Sequence, residues 1–445
     1  MKNMSMTFCA AAVSGIVALL TAGCAGENNT AAGYGDSIEV VAVNAKPLQA
    51  SDEASASAHA VAGGANDFAF RFAAQRAEEA GAENVVCSPY SVWLPLAALV
   101  NATAASKQSA LATTLGAAGM GNDAINTAAS RMLYDLTKVR ETKSYAENGA
   151  RYHNPLKIAN AIFVSKALTL QNSFAQAFMD FYRGTSIKVN FASDDAVSAI
   201  NKWARDNTEG LIDNVVTEFD PDTVAAIANA IYFSDRWSWE FDPEQSSQAV
   251  FHAPVGDTPA FYMLREGDDL LYYEDDTAQA MPLSFISGGG MYIILPKNGD
   301  ALGLLSSMTD DYFEQIHRDA HPATGRLLLP RFSIEGDPMN LRDTLIALGV
   351  PLFDASDGAT LTGLIKEDIP LGLSSAVQKA LIRVDEKGTT AAAVTVLSMD
   401  ASSAGPSEPT APFDMICNKP FVFVLYDYTR DGGRQVLFTG MVNNP

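Results

Sequence analysis

Few residues of this chain stand in patterns that perform chemistry on a bound molecule. There is no G-x-S-x-G elbow, no H-E-x-x-H, no Walker A loop, and no S-x-x-K with the partner motifs of penicillin-binding proteins. His317 and His321 would share a helix face if their segment is helical, but Pro322 follows at once and no nearby ligand completes a tetrahedral site. They read as a solvated helix end. Gly288 to Gly290 reads as a hairpin turn rather than a phosphate cradle. The chemistry written most plainly is of another kind, in which the chain itself is the substrate. Asp400 to Pro412 holds three prolines and a glycine among small polar residues, the composition of an exposed, protease-accessible loop. Just before it, Glu386 to Met399 reads E-K-G-T-T-A-A-A-V-T-V-L-S-M, with neither charge nor proline after Gly388. Nothing bars that run from joining a sheet as a central strand. Alternation puts Thr389, Ala391, Ala393, Thr395 and Leu397 on one face and Thr390, Ala392, Val394 and Val396 on the other. A segment fit for a sheet interior is thus joined to an exposed, cleavable one.

The rest of the chain must position this pair. With 445 residues, 48% of them hydrophobic and 18% charged, it can bury a large core as one big domain. A net charge of -22 argues against nucleic-acid binding and against a polybasic membrane patch. Asp67 to Ala80 has amphipathic, helix-favouring composition, and Ser88-Pro89 is a good helix start for the segment to Val100. Met291 to Leu295 and Phe421 to Tyr426 are continuous apolar runs of strand length, and Ala380 to Val384 is a mostly apolar one interrupted by Arg383. Helices early and strands late suit an α+β architecture.

Residues 1-23 read as a signal peptide. Lys2 is its weak positive region, Met6 to Leu20 its apolar stretch, and L-T-A-G-C ends at Cys24. This resembles a bacterial lipoprotein signal, in which the Cys24 thiol takes the lipid; an ordinary secretory leader cut elsewhere is the alternative. Either way the protein is exported. Several acyl chains on one residue suffice for stable anchoring, since each buried CH₂ contributes about 0.8 kcal/mol. Residues 24-64, rich in Ala, Ser, Asn and Gly, read as a flexible tether, and ~40 such residues reach roughly 35 Å. The folded domain is expected over 65-445.

Several blocks in this domain resemble the serpin family in order and spacing. They are NVVCSPYSVWLPLAAL from Asn84, LKIANAIFV from Leu156, INKWARDNTEGLI from Ile200 and NAIYFSDRWSWEF from Asn229. After these come LPRF from Leu329, LIALGVPLF from Leu345 with LTG from Leu361, the hinge, NKPF from Asn418 and FTGMVNNP from Phe438. The resemblance implies the serpin fold: a large central sheet, two smaller sheets, about nine helices and an exposed reactive-centre loop near the C-terminus. It implies a monomer without cofactor or metal, and the acidic charge argues against the basic heparin helix of some relatives.

The activity implied is suicide inhibition of a serine or cysteine protease rather than catalysis. The protease cuts the loop, and residues 386-402 enter the central sheet before the acyl-enzyme hydrolyses. The hinge is Glu386, Gly388, Thr389, Thr390, Ala391, Ala392 and Ala393, where small side chains slip between strands with few clashes. Counting from Glu386 places the reactive bond between Ser402 and Ser403, with bonds after Ala401, Met399 and Leu397 as rivals. Small residues and the lack of Arg or Lys between Lys387 and Lys419 favour elastase-like or subtilisin-like targets. By the same resemblance Arg331 is the ionic partner of Glu386, while Trp237, Ser88, Ser91 and Asn229 support the hinge and the sheet. Gln378 stands where the family has a histidine. Cys87 and Cys417 fall at family positions of buried side chains and read as free thiols, although an exported pair could bridge. The alternative function is a non-inhibitory, serpin-like binding or structural protein at the cell surface.

Overall fold

The structure, a computed structural model, describes residues 38-445 apart from 138-139, 143-150, 154-155, 194, 209, 211, 213, 221, 336-337, 356-359, 390-411 and 430-431. In chain order, β1 (Ile38–Val40) leads to α1 (Asp52–Ala80), β2 (Val85–Cys87), α2 (Pro89–Leu99), α3 (Ala105–Thr114) and α4 (Asn122–Thr137). A short pair, β3 (Arg140–Thr142) and β4 (Arg151–His153), precedes β5 (Leu156–Ser165), α5 (Asn172–Tyr182), β6 (Thr185–Val189), α6 (Asp195–Asn207), β7 (Ala225–Phe233) and β8 (Asp235–Arg236). Strands then dominate: β9 (Ser247–Ala253), β10 (Gly256–Glu274), β11 (Ala278–Ser284) and β12 (Gly290–Pro296), followed by α7 (Ala301–Ser307) and α8 (Asp310–Asp319). Next come β13 (His321–Pro330), β14 (Phe332–Glu335), β15 (Met339–Asn340), α9 (Arg342–Ala347), β16 (Ser375–Lys379) and β17 (Leu381–Asp385). The chain closes with β18 (Gly388–Thr389), β19 (Phe413–Ile416), β20 (Phe421–Tyr428) and β21 (Arg434–Val442).

These elements form a mixed α+β fold with nine helices among the described residues, a large sheet and two smaller ones. The large sheet has two connected parts. Its body runs β1-β6-β5-β7-β16-β15, and at its head β14-β17-β18-β8 are paired. Strands β7 and β16 each continue into the head after a single residue, as β8 and β17. Within the body β7 and β16 are parallel neighbours, Ala226 to Ala230 facing Ser375 to Lys379. The smaller sheets share β10. Its register shifts between Gly267 and Leu270, a bulge that bends the strand from β9 and β13 on one side towards β11, β12, β20, β21 and β2 on the other.

Residue alternation explains why the large sheet is buried on both faces. Ile162 and Val164 of β5 and Ile227 and Ile231 of β7 point into the main core with α1 and α2, whereas Ala161, Phe163, Ala228 and Ala230 join a second cluster under α6. Trp203 of α6 meets Phe163 there edge-on, at 5.7 Å between centroids.

From Ile38 on, the stretch expected as a tether over 24-64 is instead folded, with β1 paired into the large sheet and α1 beginning at Asp52. Ser51 caps α1 by accepting a hydrogen bond from the Ala54 amide, and Asp52 and Glu53 suit the positive end of the helix. Alanines that read as linker are strong helix formers once capped. Gly64 stays in the helix because its bare Cα lies against Gly116, where a Cβ would stand 2.2 Å from a carbonyl oxygen. The histidine reading also changes. His317 lies in α8, but the helix ends at Asp319 and His321 opens β13, so the two do not share a helix face. His317 is half-buried, its Nδ1 2.9 Å from the Tyr292 hydroxyl. The glycine triplet does sit at the β11-β12 hairpin.

Candidate functional site

The hinge begins at the head of the large sheet. After β17 the chain turns through Glu386 and Lys387 and starts back as β18, so that Thr389 pairs with Val384 and Gly388 with Asp385. On its other edge β18 pairs with β8, Gly388 with Arg236 and Thr389 with Asp235. These two residues therefore already lie between strands, and Thr389 is 1% exposed. The Asp235 amide donates to the Thr389 hydroxyl at 3.3 Å. Only glycine fits at 388: its φ is +153°, and a Cβ would stand 2.1 Å from the Asp235 carbonyl oxygen. Asp235 is held in turn by Ser287, whose hydroxyl donates to its carboxylate.

Glu386, at the turn, is tied down by two donors. Arg331 Nε donates to its Oε1 at 2.8 Å and the Ser246 hydroxyl to the same oxygen at 2.7 Å. Burial pushes the carboxyl's pKa up, but these hydrogen bonds outweigh it and hold the group below the usual glutamate value. Arg331 is oriented from below by the exposed Phe261 ring, 4.3 Å from its guanidinium carbon. Trp237 closes the other side. Its indole N–H donates to Asp385 O and its amide to Lys387 O, both at 2.9 Å, and its ring stacks on Phe285 at 4.8 Å.

Lower down, a polar network lies under the seam between β7 and β16. Gln378 and Asn229 are direct partners across that seam. Gln378 Nε2 donates to Ser88 O at 2.8 Å and reaches Ser91 Oγ at 3.0 Å and Asn229 Oδ1 at 3.2 Å, while its Oε1 accepts from the Ser88 amide at 3.2 Å. Asn229 donates onward to Asn160 on β5 at 2.6 Å. Ser88 heads α2, yet its hydroxyl donates to Leu437 O at 2.6 Å instead of capping that helix. The start of α2, three strands of the large sheet and β21 thus meet in one buried, hydrogen-bonded knot. Separating β7 from β16 has to break the Gln378–Asn229 contact.

Arg331, Glu386, Gly388, Thr389 and Trp237 therefore come together at the head, and Ser88, Ser91, Asn229 and Gln378 at the seam. Thr390, Ala391, Ala392, Ala393, Leu397, Met399, Ala401, Ser402 and Ser403 lie outside the described residues, as does Cys24. Cys87 and Cys417 are free and buried. Burial pushes the Cys87 thiol up to about 12 and raises Cys417 as well. Sequence reasoning missed Ser246, Asp235 and Ser287. Ser246 and Ser287 are single polar residues in connections and Asp235 opens the two-residue β8, so none has a periodic signal to mark it. Among the described residues no cluster of His, Cys, Asp or Glu could hold a metal ion.

A family model described as Serpin (serine protease inhibitor) matches residues 63–445. Alpha-1-antitrypsin of Meriones unguiculatus is 29% identical over 390 residues, covering 87% of this chain and 91% of the relative. Alpha-1-antiproteinase of Callosciurus caniceps is 29% identical over 399 residues, covering 87% and 89%. Among solved structures, the thermophilic serpin tengpin in its native state superposes with a TM-score of 0.75 at 24% identity, over 91% of this chain and 98% of that one. Thyroxine-binding globulin in complex with thyroxine superposes with a TM-score of 0.71 at 23% identity, over 86% and 99%. Those two likenesses bear on the fold alone.

Proposed function

This chain belongs to the serpin family, and from that premise we propose that it is a suicide-type inhibitor of serine proteases rather than an enzyme. One observation carries the reading: Gly388 and Thr389 are paired on both edges between β8 and β17. A strand continuing from Thr389 would advance along the seam between β7 and β16, parting the Gln378–Asn229 contact and gaining ladder bonds on both sides. The protease, held as an acyl-enzyme on the cut loop, would be carried along before water reaches the ester. The inhibitor's own side chains supply no acid or base to this reaction. They supply a slot, a latch at Glu386 and Arg331, and a hinge thin enough to enter. In this reading the cut falls at Ser402 to Ser403, the targets are elastase-like or subtilisin-like, and a lipid on Cys24 holds the exported, monomeric protein at the bacterial cell surface.

The test is to incubate the protein with a panel of serine proteases, trypsin included, and to look for complexes that survive boiling in detergent. Mass spectrometry of the released C-terminal peptide then locates the cut. Stable complexes with elastase- or subtilisin-type enzymes, and none with trypsin cut within 388–412, are expected. Cleavage by every protease without any complex would overturn the inhibitory reading in favour of a binding or structural role.

A further inference from the structure

The strap ahead of α1 lies outside the family-defining segment 63–445, yet it is bound along its length. β1 pairs antiparallel with β6, Ile38 facing Val189 and Val40 facing Ile187, and the Val41 amide extends the ladder to Ser186 O at 2.9 Å. Ile38 is 4% exposed and packs into the cluster with Phe163, Ile187 and Trp203. Further on, Lys46 is gripped from three sides. Its amide donates to Asp180 Oδ1 at 2.9 Å, its ammonium lies 3.1 Å from Asp180 Oδ2, and Arg183 donates to its carbonyl at 2.6 Å. Gln176 donates to Asn44 O at 2.8 Å, and the Gln49 amide to Ser130 Oγ of α4 at 2.9 Å. The groove thus has a strand edge, an apolar socket for Ile38 and fixed polar contacts on α5 and α4.

Without the strap, β6 would be the edge of the large sheet, presenting unpaired backbone groups beside an open apolar socket. Such an edge is a template for strand addition by another chain. We propose that the β6–α5–α4 groove is a docking surface for an extended strand, filled here by the molecule's own residues 38–51, and that this filling keeps the β6 edge from pairing with a second copy of the chain. The strap resists displacement because one segment satisfies the ladder, the socket and the Asp180 carboxylate together. Its acceptor surface is specific for an alternating apolar strand followed, six to eight residues after the Ile38 and Val40 positions, by a cation.

The test uses the full chain carrying Ile38→Asp and Val40→Asp, beside the wild type and Lys46→Glu. Lys46→Glu alters a side chain that is 72% exposed, so it weakens the strap without disturbing the core. Expected in the double variant are faster amide exchange along β6, uptake of a labelled synthetic peptide of residues 38–51 that the wild type refuses, and concentration-dependent dimers in light scattering. Lys46→Glu should move each readout the same way by less. Unchanged β6 exchange with no peptide uptake in both variants would overturn the proposal. So would peptide uptake by a double variant that stays monomeric at every concentration.

Discussion

Thr389 and Gln378 are the residues on which the inhibitory reading turns most sharply. Thr389 is buried between β8 and β17. Replacing it with Arg would place an uncompensated guanidinium there, at a cost of several kcal/mol. Thr389→Arg should leave the domain folded, because the hinge can swing out, but should slow insertion until the acyl-enzyme hydrolyses first. Gel analysis should show cleaved inhibitor and free protease in place of the stable complex; wild-type stoichiometry would refute the role. Gln378 makes the seam indifferent to pH, since its amide donates and accepts without titrating. In Gln378→His the buried ring would be kept neutral, its folded pKa below the ordinary value of about 6.5. A depressed folded pKa gives stability above the unfolded pKa that is lost as pH falls. The variant should therefore lose stability between about pH 7 and 5 in denaturant melts, where the wild type is flat by comparison. Glu386 follows the same sign at lower pH. Its pKa is held below the usual glutamate value by Arg331 and Ser246, so its ion pair with Arg331 should persist through neutral solution and fail only as pH falls through that depressed value. The thiols are a simpler matter: with burial raising both, neither Cys87 nor Cys417 should take up iodoacetamide in the native state at pH 8, as peptide mapping would show.

At the level of elements, β18 is only two residues long yet is held on two edges. Its geometry depends on the bare Cα of Gly388. Gly388→Val would drive a side chain into the Asp235 carbonyl, so β18 should leave the slot while β8 and β17 remain. Hydrogen exchange should then quicken at Thr389 and in the upper part of β17 without change in β5 or β6. Unaltered protection at Thr389 would show that the pairing tolerates a Cβ and that the account of this glycine is wrong. Helix α1 is a second case. Its Ser51 cap stands at the junction between strap and domain, and Ser51→Ala should cost about 1 kcal/mol, read as a small drop in denaturation midpoint.

For the whole molecule, the decisive property is that cutting should stabilise. An uncut serpin that ends its life with an extra strand is trapped above its lowest free-energy state. On the proposed mechanism, cutting between Met399 and Pro412 would free about a dozen residues from Thr389 onward to pair on both sides. At about 1 kcal/mol net for each ladder bond plus apolar burial, the unfolding temperature should rise on the order of tens of degrees. A nicked domain that melts at or below the intact one would remove the inhibitory reading and leave the fold untouched. The sequence by itself determined the elements whose information is local. Ser88-Pro89 marked a helix start, and the apolar runs at Met291 and Phe421 marked buried strands. Only the resemblance of its motifs to the serpin family pointed to Glu386 with Arg331 and to Gln378 beside Ser88 and Asn229. Tertiary structure alone decided that Gly388 and Thr389 already stand in the sheet, that Ser246, Asp235 and Ser287 hold their surroundings, and that Ile38 to Ser51 is a strap and not a tether. The physical reason is common to all three. Each depends on a partner far along the chain, and isolated polar residues or a three-residue strand carry no periodicity until that partner is in place. Folding also gave the alanines after Ser51 their meaning, since the same small residues serve a linker or a helix and only the capped, packed surroundings choose between them.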